Sequence, residues 1–199
     1  PNLIAEKAYE LLSEDKNGLE PFERETLEEL IENSKQEQEE KDFLLEVAIN
    51  DWLRSNCDGK IVVFAGDIDS ADYVFLFLSG KLGPVVERHN VDRRAVFLDS
   101  DDVRILVCDE QGEDGLNLHG GEKLVIHYGL PLSISRIEQR LGRVNRYSAD
   151  IKASPIKSLV FVPQGMSFSH YWVKLLSEDI KIFSESVASL QYVLDPLIE

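Results

Sequence analysis

From Lys60 onward, short apolar runs alternate with stretches of helical spacing, and this alternation constrains the fold more than any other feature. Each run has the length of a strand that is buried on both faces. Strands that alternate with helices predict a parallel sheet covered by helices, which is an α/β domain of three layers. The predicted strands cover 61–65, 85–86, 104–108, 124–126 and 159–162, and the predicted helices cover 69–79, 91–99 and 133–142.

Helical spacing also precedes and follows this part of the chain. Residues 1–56 predict three helices, because Gly18 and Pro21 break the first run and the acidic stretch 36–40 is typical of either solvated helix or a linker. In the third helix, at about 39–55, we expect Phe43, Leu44, Val47, Ala48 and Leu53 to face inward. The predicted domains are an acidic helical extension (1–57), the α/β domain (58–164) and a helical tail packed on it (165–199).

Charge is distributed unevenly. The net charge is −16, and residues 1–50 hold 15 acidic and 5 basic side chains, whereas residues 59–163 hold 15 and 13. Bulk electrostatics therefore gives no support to nucleic-acid binding, although a local basic site is compatible with a near-neutral domain. No apolar run is long enough for a membrane span, so we expect no membrane association.

The start of the chain and its cysteines bear on where the protein works. Pro1 is not an initiator methionine, and the residues after it lack the pattern of a signal peptide, so we expect an excised piece of a longer polypeptide. Cys57 and Cys108 are the two cysteines, which fits a reducing cytoplasm. No Cys/His cluster has metal-ligand spacing, and His119 and His127 lack a second ligand, so we expect no metal site.

The most informative segment is Gln-Arg-Leu-Gly-Arg-Val-Asn-Arg, residues 139–146. Its arginines, Arg140, Arg143 and Arg146, are spaced so that a helix from about Ser133 projects them from one side. The guanidinium group is a planar, permanently charged fork that suits phosphate oxygens. The cluster follows a strand and its loop, at the edge where ligands bind in parallel sheets.

This string resembles motif VI of superfamily-two helicases and translocases, and the resemblance extends over roughly residues 58–195. Residues 103–118, with the Gly-x-Asn ending Gly115-Leu116-Asn117, look like motif V of Swi/Snf-type ATPases. Residues 61–66 look like motif IV, and the segment 172–194 is similar to the tail of the RapA-like bacterial branch. The resemblance implies a RecA-like fold with a mostly parallel sheet.

Several roles follow from the resemblance, residue by residue. Arg143 and Arg146 would be arginine fingers that reach the γ-phosphate of ATP and neutralise charge on the transferring phosphoryl group. Gln139 and Arg140 would brace the motif and contact motif V. Gly115 and Asn117 would line the nucleotide. Arg136, one turn earlier, lies outside the motif, and we expect it to be dispensable.

The resemblance also implies contacts with nucleic acid. Gly66 and the motif V loop around Asp109 would face the nucleic-acid backbone. Asp109 departs from the family pattern, which often has a hydroxyl group at this position. A hydroxyl group can donate a hydrogen bond to a phosphate, whereas a carboxylate repels it. Glu110, Glu113 and Asp114 add to the acidity of this loop.

The implied protein is the second motor half of a nucleic-acid-dependent ATPase, a Swi/Snf-type DNA translocase or helicase. Because the chain has no G-x-x-x-x-G-K-[ST] loop, ATP and Mg²⁺ would be held mainly by an N-terminal RecA-like half of the same polypeptide. This piece alone should not hydrolyse ATP. The implied partners are that half, nucleic acid in the form of duplex DNA, and RNA polymerase or another protein.

Two alternatives remain open. A DEAD-box-like RNA helicase half is disfavoured by Gln139, where a histidine would be expected, and by Asn117. A non-catalytic acidic α/β interaction module that kept the helicase fold is favoured by the acidity of the motif V loop.

Overall fold

The computed structural model describes residues 3–14, 18–89, 97–98, 100–115, 122–144, 157–163 and 167–183. It divides into two compact units, Pro1–Ile49 and Asn50–Glu199. The domain boundaries proposed from the sequence stay predictions.

The first unit consists of helical segments. Helix α1 is Leu3–Glu14, and α2 is Pro21–Ser55, which runs on into the second unit. Pro21 takes the first helical position, where its missing N–H group costs nothing, and the Glu23 carboxylate accepts a hydrogen bond from the Glu20 N–H at 2.9 Å. The prediction of two helices after Pro21 is wrong, because the polar stretch 36–40 continues the helix.

The predicted inward face of α2 is also wrong. Phe43 is 63% exposed, and Leu44 and Val47 are exposed too. Within 39–55 the buried apolar residues are instead Leu45, Ile49 and Trp52, at i, i+4 and i+7, whereas Ala48 and Leu53 are half-buried. Apolar residues occupy both faces here, so spacing alone did not identify the buried one.

The second unit contains a five-stranded, all-parallel sheet in the order β2-β3-β1-β4-β5, counted over the described residues. This confirms the predicted α/β class, and every predicted strand is present. The strands are β1 (Lys60–Phe64), β2 (Val86–Arg88), β3 (Ile105–Cys108), β4 (Lys123–His127) and β5 (Lys157–Val160). The central strands are buried at every residue except the half-buried Lys60, as the apolar runs within them require.

Helices connect these strands and cover the sheet. They are α3 (Ile68–Leu82), α4 (Glu110–Gly115), α5 (Ile134–Val144) and α6 (Phe168–Lys174), which a π-helical turn extends through Leu175–Asp179. Helices α3 and α5 confirm the predictions at 69–79 and 133–142, whereas most of 91–99 lies outside the described residues. No helix in the described ranges is long and apolar enough to cross a bilayer.

The core of the described residues includes two apolar clusters. One packs β1, β3 and β4 against Val144, and the other packs α5 against the α6 region. In the second cluster, Trp172 is buried and its Nε1–H donates to the Pro131 carbonyl oxygen at 3.1 Å. The helical spacing predicted for 165–199 is confirmed for Phe168–Asp179, and residues 184–199 lie outside the described part of the chain.

Candidate functional site

The loops after β1 and β4 interlock at the carboxyl edge of the sheet. Gly66 has φ +101°, which favours glycine, and a Cβ atom on Gly129 would lie 2.2 Å from the Ala65 carbonyl oxygen. The Gly129 N–H donates to the Phe64 carbonyl oxygen at 3.0 Å. Gly129 is therefore required for the close approach of two backbones, a need that the sequence did not reveal.

The segment after β3 is a short helix, α4, where the sequence predicted a loop. Asp109 precedes it, and its Oδ1 accepts a hydrogen bond from the Gly112 N–H at 3.1 Å. A carboxylate at this position satisfies a backbone donor that the first helical turn leaves unpaired. Gly115, predicted to line the nucleotide, is the last residue of α4, and Asn117 lies outside the described residues.

Asp109 is buried and paired with a cation. Its Oδ2 lies 2.8 Å from Nη2 of Arg88, whose Nε lies 2.9 Å from Oδ1 of Asp72 on α3. Burial acts to raise the pKa of Asp109, but the hydrogen bonds from Arg88 and from the Gly112 N–H outweigh it, so the pKa is lowered. The repulsion of phosphate expected for Asp109 is thus offset by Arg88, and its predicted contact with nucleic acid stays a prediction, as does that of Gly66.

Glu113, on α4, is the centre of an ion network with α5. Its carboxylate is almost fully buried, with Oε1 2.9 Å from Nε and 2.5 Å from Nη2 of Arg140. Its Oε2 lies 3.0 Å from Nε and 2.9 Å from Nη2 of Arg136. Arg136 also lies 3.5 Å from the Glu110 carboxylate, so it has a structural role that its place outside the motif did not predict.

Arg140 is fully buried. Besides its bonds to Glu113, its Nη1 donates to the Gly129 carbonyl oxygen at 2.5 Å, and its guanidinium lies 5.2 Å from the centre of the Phe64 ring. Burial lowers the pKa of Arg140, and the Glu113 carboxylate opposes that change. Arg140 thus joins α4 to the loop after β4; the nucleotide contact predicted for it stays a prediction.

Arg143 is the one predicted finger in the described residues, and Arg146 lies outside them. Its Nε–H donates to the main-chain carbonyl oxygen of Glu113 at 3.2 Å. Within the described part of the chain, neither Nη atom makes a hydrogen bond or ion pair. Gln139, on the same helix, is partly exposed.

His127 ends β4 beneath this network. It lies against the rings of Phe64 and Phe183, and neither of its ring nitrogens has a hydrogen-bond partner among the described residues. Burial, with a smaller contribution from Arg140, lowers the pKa of His127 to about 3, so the ring is neutral. Within the described ranges, no three His, Cys, Asp or Glu side chains group into a possible metal site.

The sequence missed Glu113, Arg88 and Gly129 as organisers of this edge. Glu113 was counted among the acidic residues of a loop, because no local pattern distinguishes a buried carboxylate from a solvated one. The available signal was the spacing of α5, which places Arg140 on the same side as its apolar residues. A buried arginine needs a buried carboxylate as its partner.

A parallel sheet of this order with an arginine-bearing helix at its carboxyl edge defines a RecA-like α/β domain. Residues 39–148, more than half of the chain, match the family model of the helicase conserved C-terminal domain. The chain belongs to that family.

Two solved structures are similar in fold. The Pyrococcus furiosus Hef helicase domain matches 85% of this chain at a TM-score of 0.57 and 22% identity. The C-terminal part of the Fun30 ATPase domain matches 98% of this chain at a TM-score of 0.51 and 16% identity. This chain covers 36% of the Hef chain and 71% of the Fun30 chain. No curated protein sequence matches it significantly.

Proposed function

We propose that this chain is the second motor half of a nucleic-acid-dependent ATPase, a superfamily-two protein of the Swi/Snf type and the RapA-like branch. In this proposal ATP and Mg²⁺ are held by an N-terminal RecA-like half, and Arg143 and Arg146 complete the site. The bound nucleotide supplies the phosphoryl group that is transferred to water. Duplex DNA crosses both halves, RNA polymerase or another protein is a further partner, and the protein works in the cytoplasm.

The observation that carries the proposal is the state of Arg143. Its Nε is held by the Glu113 carbonyl oxygen, and neither Nη atom makes a hydrogen bond or ion pair with any described residue. A finger needs this combination, because a guanidinium that is oriented in advance stabilises charge in the transition state without reorganising first. ATP fits the donor set, since the terminal nitrogens of arginine suit phosphate oxygens.

The internal ion pairs weaken the case for a non-catalytic acidic module. That alternative depended on the acidity of residues 109–114, but Asp109 is paired with Arg88 and Glu113 with Arg136 and Arg140. The acidic charge of these two residues is therefore balanced within the fold and does not form an acidic docking surface.

The test is Arg143→Ala in the full-length parent protein. We expect stimulated turnover to fall by roughly 10³-fold or more while the dissociation constant for ATP changes little, because the finger acts mainly in the transition state. Arg143→Lys should rescue poorly, since an ammonium group cannot reproduce the planar fork. The choice of duplex DNA is tested by comparing duplex and single-stranded DNA and RNA as activators of ATP hydrolysis.

Arg54→Ala is the matched control, because Arg54 is an exposed arginine near the end of α2. Arg136 is unsuitable, since it pairs with Glu113. A wild-type kcat in Arg143→Ala, or an equal loss in Arg54→Ala, would contradict the proposal.

A further inference from the structure

Three arginines of α5 meet one residue of α4. Both carboxylate oxygens of Glu113 are engaged, Oε1 by Arg140 and Oε2 by Arg136. The main-chain oxygen of the same residue accepts the hydrogen bond from Arg143. The side chain of Glu113 therefore fixes α4 against α5, and its backbone contacts the proposed finger.

We propose that Glu113 is the positioning residue of the Arg143 finger: its carboxylate, clamped by Arg136 and Arg140, holds its own carbonyl oxygen where it orients the Arg143 guanidinium. This inference rests on the proposed function. Glu113 does not touch the nucleotide, and it acts only through Arg143.

The pairing of Glu113 with Arg136 and Arg140, called the clamp below, reduces the conformational freedom of the Arg143 side chain. A free arginine has many rotamers, and ordering it during the reaction would raise the barrier. The guanidinium group is planar, so a hydrogen bond at Nε fixes the plane in which the two Nη atoms lie. Arg143 therefore depends on the position of the Glu113 carbonyl oxygen.

Helix α4 is fixed at its other end as well. Asp109 accepts a hydrogen bond from the Gly112 N–H and pairs with Arg88. A segment this short has little stability of its own, so these two anchors determine where it lies. Loss of the Glu113 anchor would leave α4 held at one end only, and the carbonyl oxygen at the other end would lose its fixed position.

The experiment uses Glu113→Gln in the full-length parent, with nucleic-acid-stimulated kcat, the KM for ATP and the thermal midpoint all measured. Glutamine keeps the shape and one acceptor oxygen but loses the charge that holds two guanidiniums. We expect kcat to fall about tenfold or more while KM for ATP stays within about twofold, because ground-state binding does not depend on the finger. A purely structural role would instead change KM for ATP together with kcat. A lower thermal midpoint is expected in either case, because Glu113→Gln leaves the buried Arg140 cation without its counter-charge.

Glu122→Gln is the control, since Glu122 is an exposed glutamate just before β4 and is not part of the described network of Glu113. We expect it to keep kcat within about twofold. If Glu113→Gln does not fold, Arg136→Gln decides, because Arg136 is partly exposed and its removal weakens the clamp without leaving a buried charge unpaired. It should lower kcat several-fold at constant KM.

A wild-type kcat in Glu113→Gln, or in Arg136→Gln where that variant decides, would overturn the inference, as would an equal loss in Glu122→Gln. The experiments distinguish failure of the positioning role from failure of the proposed function. If Arg143→Ala is inactive and Glu113→Gln is normal, only the positioning role is wrong. If Arg143→Ala turns over normally, the proposed function itself is wrong.

Discussion

Gly129→Ala tests the interlocked loops at the carboxyl edge of the sheet. The new Cβ atom would lie 2.2 Å from the Ala65 carbonyl oxygen, whereas real Cβ contacts essentially never fall below 3.0 Å, so the two backbones must separate by about 0.8 Å. That movement weakens the hydrogen bond from Gly129 to Phe64 and the one from Arg140 to Gly129. A neutral hydrogen bond contributes about 1 kcal/mol and a charged one about 1.5–3 kcal/mol. We therefore expect the free energy of unfolding to fall by about 2–4 kcal/mol.

The assay is urea unfolding of the 199-residue chain, followed by tryptophan fluorescence. Trp52 and Trp172 both belong to the second unit, so the signal reports on the unit that contains the substitution. Gly142→Ala is the matched control, because among the described residues nothing beyond its own helical turns lies within 4 Å of its Cβ position in α5. It should be neutral or stabilising by up to about 1 kcal/mol. The reasoning fails if Gly129→Ala unfolds within about 0.5 kcal/mol of the wild type.

Two further predictions concern buried titratable groups. Because the pKa of His127 is about 3 in the folded state and about 6.5 when unfolded, the native state binds fewer protons, and stability is lost as pH falls from 6.5 toward 3. Between pH 7.5 and pH 5.0, urea unfolding should show that the free energy of unfolding falls by about 2 kcal/mol more in the wild type than in His127→Phe. Equal losses in the two proteins would refute the lowered pKa of His127. Burial raises the pKa of the Cys108 thiol, whereas Cys57 is exposed, so a thiol reagent should titrate one group in the native chain and none in Cys57→Ser. Rapid reaction of two thiols in the native chain would contradict this.

The sheet was predictable because its signal is local. A strand such as β1, which is buried on both faces from Ile61 to Phe64, must be apolar over those residues, and the sequence shows this directly. Helix α5 was equally clear, since its arginines and apolar residues recur at helical spacing.

The failures have a tertiary cause. The inward face of α2 could not be assigned because Phe43 and Leu45 are equally apolar, and packing alone decides which is buried. The role of Glu113 depends on α4 and α5 lying side by side, although Arg136 and Arg140 lie more than 20 residues further along the chain. No local pattern records such a contact, and Arg146 and Asn117 lie outside the described residues.

The shared carboxylate of Glu113 restricts how this protein can evolve. A lineage that replaced Glu113 alone would leave the buried Arg140 cation uncompensated, and loss of one member of a buried pair typically costs about 3–5 kcal/mol, a large part of the stability of a domain. Replacing both members by apolar residues of similar volume is far less harmful. The two positions should therefore covary among homologues, with Arg136 following more loosely because it is partly exposed.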